Sequence, residues 1–159
     1  MMSQILYMLI GPKGAGKTYI GKLIARYTEI KFVSVEPIWL NLQPGENGWK
    51  KVEQVIDETF MNHSKVMIES LGAGEEFGKF RANLEKKYTL KMIRVYTDLE
   101  TCLTRVKSRD NTAHIPVSNE KVEQYNRIAA NVFYDWDLEI NNNAPATAEE
   151  ILTTIQTLL

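Results

Sequence analysis

One cysteine, Cys102, and two histidines, His63 and His114, are the only thiol and imidazole groups among the 159 residues. A lone cysteine excludes an intrachain disulfide and suits a reducing compartment. So few soft ligands leave no zinc-binding cluster and no nucleophilic triad in view. Charge of one sign is also missing: 19 basic against 20 acidic residues give a net charge of −1. That balance supplies no general attraction to nucleic acid or to an anionic membrane. The N-terminal apolar run, residues 5–10, is too short to cross a bilayer and has no basic leader before it. These absences predict a cytoplasmic protein that handles small molecules, as a monomer or weak homodimer, with neither nucleic acid nor membrane as partner. With 44% hydrophobic and 25% charged residues, the composition is that of one globular domain over residues 1–159. No internal repeat, low-complexity tract or interdomain linker interrupts it.

What the chain does have is Gly11-Pro12-Lys13-Gly14-Ala15-Gly16-Lys17-Thr18, the pattern G-x-x-x-x-G-K-[ST]. An apolar strand-like run precedes it and a helix-like stretch follows, which is the context the motif needs. Glycines let successive backbone N–H groups converge on phosphate oxygens, and the following helix adds the favourable end of its dipole. Lys17 is placed to reach the β- and γ-phosphates, and the Thr18 hydroxyl to bind Mg²⁺. Residues 11–18 together with Tyr19 are therefore the expected contacts to a nucleoside triphosphate.

Apolar runs and helical patterns alternate along the chain, as in βαβ units with a parallel sheet. The expected strands are residues 4–10, 30–35, 65–69, 90–96 and 136–141. The expected helices are 17–27, 49–62, 75–87, 98–109, 119–134 and 148–158, with 37–48 as a loop. Thr97 with Glu100, and Thr147 with Glu150, have capping-box spacing. The predicted fold class is α/β: a three-layer α/β/α sandwich around five parallel strands, with ligands beyond the carboxyl ends of the strands.

Those strand ends supply the candidate site. Glu36 follows the second strand and Glu69 the third, and a triphosphate site has work for two carboxylates. One serves the metal, and one orients or deprotonates an attacking hydroxyl. Glu69 follows its apolar strand as a metal-serving carboxylate does, so it is assigned to Mg²⁺ and Glu36 to catalysis and the acceptor; the reverse assignment stays open, as does a solvated-loop role for either. Gly72 and Gly74 are candidate substrate contacts through bare backbone, or simply the turn into the next helix. Arg105 and Arg109, at i, i+4, share a helical face leading into a polar segment. They are candidates for stabilising charge on a transferred phosphoryl group beneath a lid at about 109–118, against the alternative of a solvated face. Arg127 either binds the acceptor or pairs with Glu123. Asn143 and Pro145, in the turn 141–145, are candidate contacts to the nucleotide base, or turn formers only. Cys102 fits a small core position, and aromatic Trp39, Trp49, Phe77 and Phe80 offer either core or a stacking surface for a ring-shaped acceptor.

On these residues the chain resembles the small P-loop kinases of the shikimate kinase and gluconate kinase group, relatives of nucleoside and nucleotide monophosphate kinases. The resemblance covers nearly the whole chain, carried by residues 11–18, Glu36, Gly72 and Gly74, Arg105 and Arg109, and 141–145. It implies strand order 2-3-1-4-5, ATP with Mg²⁺, a moving lid and transfer of the γ-phosphate to a small acceptor. The chain departs from shikimate kinases in having no arginine between Arg26 and Arg81. The expectation is an ATP-dependent kinase acting on a hydroxyl of a small metabolite or nucleoside. The alternative is a regulatory nucleotide-binding module or NTPase whose nucleotide state a partner protein reads.

Overall fold

Alternation along β1 (Ile5–Ile10) sends Leu6, Met8 and Ile10 to one core and Tyr7 and Leu9 to another. A strand that is apolar on both faces has to lie inside a covered sheet, and β1 is its centre. The computed structural model describes residues 3–108 and 118–159. From β1 the chain runs through α1 (Lys17–Tyr27), β2 (Lys31–Phe32), α2 (Glu36–Leu40), α3 (Gly48–Phe60) and β3 (Lys65–Ser70). Then follow α4 (Glu75–Glu85), β4 (Thr89–Tyr96), α5 (Leu99–Ser108), α6 (Asn119–Ala130), β5 (Leu138–Asn141) and α7 (Ala148–Ile155), which ends in a 3₁₀ turn (Gln156–Leu158). All pairings are parallel, in the order β2-β3-β1-β4-β5. The α/β class, the five strands and their order stand as expected.

One core lies under α3 and α4, where Val52, Ile56, Phe60, Phe77, Phe80 and Leu84 meet the Leu6 face. The other lies under α1 and α7, where Ile20, Ile24, Ile151 and Ile155 meet the Tyr7 face. The Tyr7 hydroxyl, fully buried at its ring, donates to the Leu158 carbonyl at 3.2 Å. Caps begin the helices where the sequence supplies oxygen acceptors: Asn47 for α3, Ser118 for α6 and Thr147 for α7.

Several boundaries differ from expectation. β2 is two residues long because only Lys31 and Phe32 pair with β3. The expected loop 37–48 contains α2, whose second residue, Pro37, suits a first turn. Helix α6 stops at Ala130, where the Asn131 amide donates to the Arg127 carbonyl; Val132, Tyr134 and Trp136 then turn onto the first core. At α5 the cap is Asp98, which accepts from the Thr101 N–H at 2.8 Å, and not Thr97. Thr97 is buried and its hydroxyl faces the Ala15 and Tyr96 carbonyls. No helix among the described residues is long and apolar enough to cross a membrane.

Ile56 holds α3 to the sheet from a fully buried position. Ile56→Ala should cost about 2–4 kcal/mol through lost burial and a residual cavity, read as a lower denaturation midpoint with an unchanged slope.

Candidate active site

The loop after β1 is shaped by neighbours that leave no room for side chains. Gly14 has φ +89, and a Cβ there would sit 2.4 Å from the Cys102 carbonyl oxygen. Gly16 has φ +97, and a Cβ there would sit 2.4 Å from the Asn142 amide nitrogen. Both values lie where glycine alone is unstrained, so Gly16, fixed in the motif, and Gly14, at a variable position of it, each answer to a specific partner. Asn142 is itself buried: its Nδ2 donates to the Ala15 carbonyl at 2.8 Å and its Oδ1 accepts from the Ala146 N–H at 2.9 Å. Cys102, fully buried beneath the loop with its thiol pKa pushed up to about 11 by burial, is the small core residue its position suggested.

Two further braces were not legible in the sequence. Asn126 of α6, 1% exposed, accepts from the Lys13 N–H at 2.7 Å and donates to the Lys13 carbonyl at 2.9 Å. Its amide thus pairs with both backbone groups of one loop residue, as a neighbouring strand would. Arg105 directs its planar fork at the carbonyls of Asn142 (2.9 Å), Gly14 (3.3 Å), Ala15 (3.4 Å) and Asn143 (3.4 Å). Expected as a group to stabilise phosphoryl charge, it lies here as a tie between the loop and the turn after β5. Carbonyl oxygens attract a guanidinium as strongly placed acceptors do.

On the open side, register brings the acidic residues in. Glu69 stands beside Leu9 and Ser70 beside Ile10 across β1 and β3, so Glu69 emerges next to the loop. The Thr18 hydroxyl donates to Glu69 Oε2 at 2.7 Å, with Glu69 only 5% exposed. Lys17 Nζ donates to the carbonyls of Gly11 and Pro12. Burial lowers the Lys17 pKa to about 8, against the opposing pull of Glu69 and Glu36. Glu36, on the first turn of α2, pairs with Lys13 Nζ at 3.3 Å. Lys13 therefore links three elements, with its backbone on α6 and its side chain on α2.

These groups line a cleft of about 650 Å³. One end is formed by Lys13, Gly14, Gly16, Lys17, Thr18 and Tyr19, with Arg105 beside them. Val35, Trp39, Trp49, Val52, Leu71 and Phe80 line the rest of it, and Glu69 and Glu36 join the lining in contact with Thr18 and Lys13.

Other expected site residues lie elsewhere. Gly72 and Gly74 do not line the cleft; Leu71 and Ala73 do. Gly72 is a turn residue at φ +72, with Ile10 2.4 Å from where a Cβ would be and its carbonyl accepting from the Tyr134 hydroxyl. Gly74 precedes α4 at φ +96. Asn143 accepts from the Asp98 N–H at 2.8 Å and so serves the start of α5, while Pro145 is exposed outside the cleft. Of the three asparagines, the one turned to the loop is Asn142. Arg127 is exposed on α6, outside the cleft lining, and no ion pair joins it to Glu123 among the described residues. Arg109, and all of the expected lid except Ser118, lie outside the described residues.

The family model for the ATPase family associated with various cellular activities (AAA) matches residues 7–118. No curated protein matches the sequence. Among solved structures, a putative kinase from Chloroflexus aurantiacus j-10-fl superposes with a TM-score of 0.71 at 12% identity, covering 100% of both chains. Shikimate kinase from Acinetobacter baumannii, in complex with shikimate, gives 0.62 at 21% identity over 98% of this chain and 92% of that one. A gluconokinase from Sinorhizobium meliloti 1021 gives 0.58 at 14% identity over 96% and 89%. At these identities the likeness is one of fold: the P-loop NTPase fold as small kinases wear it.

Lys17 generates a pH prediction. With its pKa near 8, the empty site keeps the ammonium below that pH and loses it above. Affinity for a nucleoside triphosphate should fall as pH rises from 8 toward 10, by up to roughly tenfold per unit. Lys17→Met should bind weakly throughout and flatten that segment of the profile, as measured by titration calorimetry.

Proposed function

The chain belongs to the ATPase family associated with various cellular activities (AAA), and we propose that it acts as an ATP-dependent kinase on a hydroxyl of a small molecule in the cytoplasm, working as one domain. The observation that carries this reading is the apolar and aromatic part of the cleft lining. Besides the phosphate loop, Glu36 and Glu69, the cleft is lined by Val35, Trp39, Trp49, Val52, Leu71 and Phe80, and water as the acceptor needs no such wall. In the proposed step the acceptor oxygen attacks the γ-phosphorus. The bond from that phosphorus to the oxygen bridging to the β-phosphate breaks, ADP leaves with the electron pair, and the acceptor proton passes to Glu36 and on to solvent. Loop amides and Lys17 hold the phosphates, so that catalysis rests on positioning and electrostatics. The ion pair to Lys13 keeps the Glu36 carboxylate beside the phosphate loop. Asn126 and Arg105 act as positioning residues, fixing the loop from behind.

A magnesium ion fits the donor set. Thr18 and Glu69 bring hard oxygens together at the cleft floor, and no group of three or more His, Cys, Asp or Glu among the described residues holds a metal by itself. That suits a cation which keeps several waters and shares phosphate oxygens. Thr18 and Glu69 would hold it, and when bound it supplies charge neutralisation on the phosphates.

The ATPase family match favours a second reading, in which nucleotide is hydrolysed without an acceptor and a partner protein senses the bound state. ADP release separates the two. A kinase should release ADP at least tenfold faster when a pool of nucleosides, sugars and hydroxy acids is added, whereas equal rates favour the second reading. Lys17→Ala should abolish turnover in a protein that stays folded by circular dichroism. Glu36→Gln should lower acceptor-dependent kcat by about 10²–10⁴ with little change in the KM for ATP.

A further inference from the structure

We infer that the acceptor is an uncharged alcohol carrying a flat, aromatic ring, and not a carboxylate- or phosphate-bearing metabolite. This rests on the kinase reading and specifies its substrate class. Charge gives the first argument. Between Val35 and Phe80 the cleft lining includes Glu36 and Glu69 but no lysine, arginine or histidine, and the sequence has no arginine from residue 27 to residue 80. The cations that do line the cleft, Lys13, Lys17, Lys22 and Arg105, come from the phosphate loop, α1 and α5. Of these, Lys13 is held by Glu36, Lys17 by loop carbonyls and Arg105 by four carbonyls. Among the described lining residues, an anionic acceptor would meet the carboxylates of Glu36 and Glu69 in a partly desolvated site where repulsion is strong, with Lys22 on α1 the one cation not already facing a carboxylate or carbonyls.

Shape gives the second argument. Trp39 and Trp49 meet edge to face, with ring centroids 5.5 Å apart and planes at 84°. Each is backed by protein on its far side. Trp49 rests on Phe77 and Phe80, at 6.2 and 5.2 Å between centroids. Trp39 lies over bare backbone at Gly48, where a Cβ would fall 2.1 Å from the indole. Both line the cleft while remaining only half buried. The pair is thus a fixed right-angled corner, open to the cavity and flanked by Val35, Val52 and Leu71. A planar ring can stack on one indole and meet the edge of the other, an arrangement worth more than its buried area alone. Glycine at position 48 matters for the same reason: any side chain there would displace the wall.

The ring in the corner leaves the acceptor's hydroxyl to reach past it to Glu36, which is paired with Lys13 of the phosphate loop. Uncharged nucleosides and aromatic alcohols with a free primary hydroxyl have this form. Sugar acids and hydroxy acids lack such a ring and bring a negative charge beside Glu36 and Glu69.

The test is ADP release with two acceptor panels at matched concentration. One holds uncharged ring-bearing alcohols, including purine and pyrimidine nucleosides. The other holds carboxylate- and phosphate-bearing alcohols of similar size. At least tenfold higher kcat/KM with the first panel is expected. Preference for the second panel overturns this inference and leaves the kinase reading standing; no dependence on either panel overturns both. Trp39→Ala should raise the KM for the best ring-bearing acceptor roughly tenfold, Trp39→Phe should restore most of it, and ATP affinity by calorimetry should be the same in all three proteins. An unchanged acceptor KM in Trp39→Ala overturns the stacking role. As an independent measurement, the same acceptor should quench fluorescence of the Trp136→Phe protein, whose remaining indoles are Trp39 and Trp49; no quenching at saturating acceptor counts against the proposal.

Discussion

The carbonyls of residues 11–15 turn into the protein, and much of the molecule around them is arranged to satisfy them. A buried peptide oxygen without a partner is costly. Here Asn126, Asn142, Thr97, Arg105 and Lys17 supply donors to the carbonyls of Gly11, Pro12, Lys13, Gly14 and Ala15. Those donors come from α1, the loop after β4, α5, α6 and the turn after β5. A stretch of eight residues is therefore held by elements spread over more than a hundred positions of sequence. Its shape before ligand arrives is fixed by tertiary contacts, and a prearranged set of amides loses little freedom on binding phosphate.

Lys13 carries that arrangement across the cleft. Its peptide is held by α6 and its ammonium by Glu36 at the start of α2. The Glu36 carboxylate is thereby tied to the loop that would hold the phosphates. Glu69 is tied to the same loop through Thr18. Two carboxylates that are unrelated in sequence thus become two distinct environments: one deep and bonded to a hydroxyl, the other beside an ammonium. Difference of environment is what lets two like groups take different work.

The expected residues divide according to how local their determinants are. Strand β1 and the loop after it were legible because periodicity and a short motif both act within a few residues. Thr147 capped its helix as the spacing suggested, since a cap reaches only three residues along the chain. Glu36 and Glu69 were found by a topological rule, that ligands gather at the carboxyl ends of parallel strands. Gly72 and Gly74 were drawn to the cleft by the same rule, yet their positive φ values serve the turn, and the neighbours Leu71 and Ala73 face the cavity. Helix α2 was hidden in an expected loop because five residues carry too little periodicity to read.

Sequence alone determined the α/β class, the succession of its five strands and the glycine-rich loop, because alternation of apolar residues and a contiguous glycine pattern are properties of neighbouring positions. Only the tertiary structure decided which asparagine of three braces that loop, that Asn126 pairs with its backbone, that Arg105 faces carbonyls, and that Trp39 and Trp49 form a corner. Each of those depends on side-chain direction and on distances between segments far apart in the chain. Hydrogen bonds and ring contacts form only within a few ångströms and at restricted angles, and the folded backbone alone sets those.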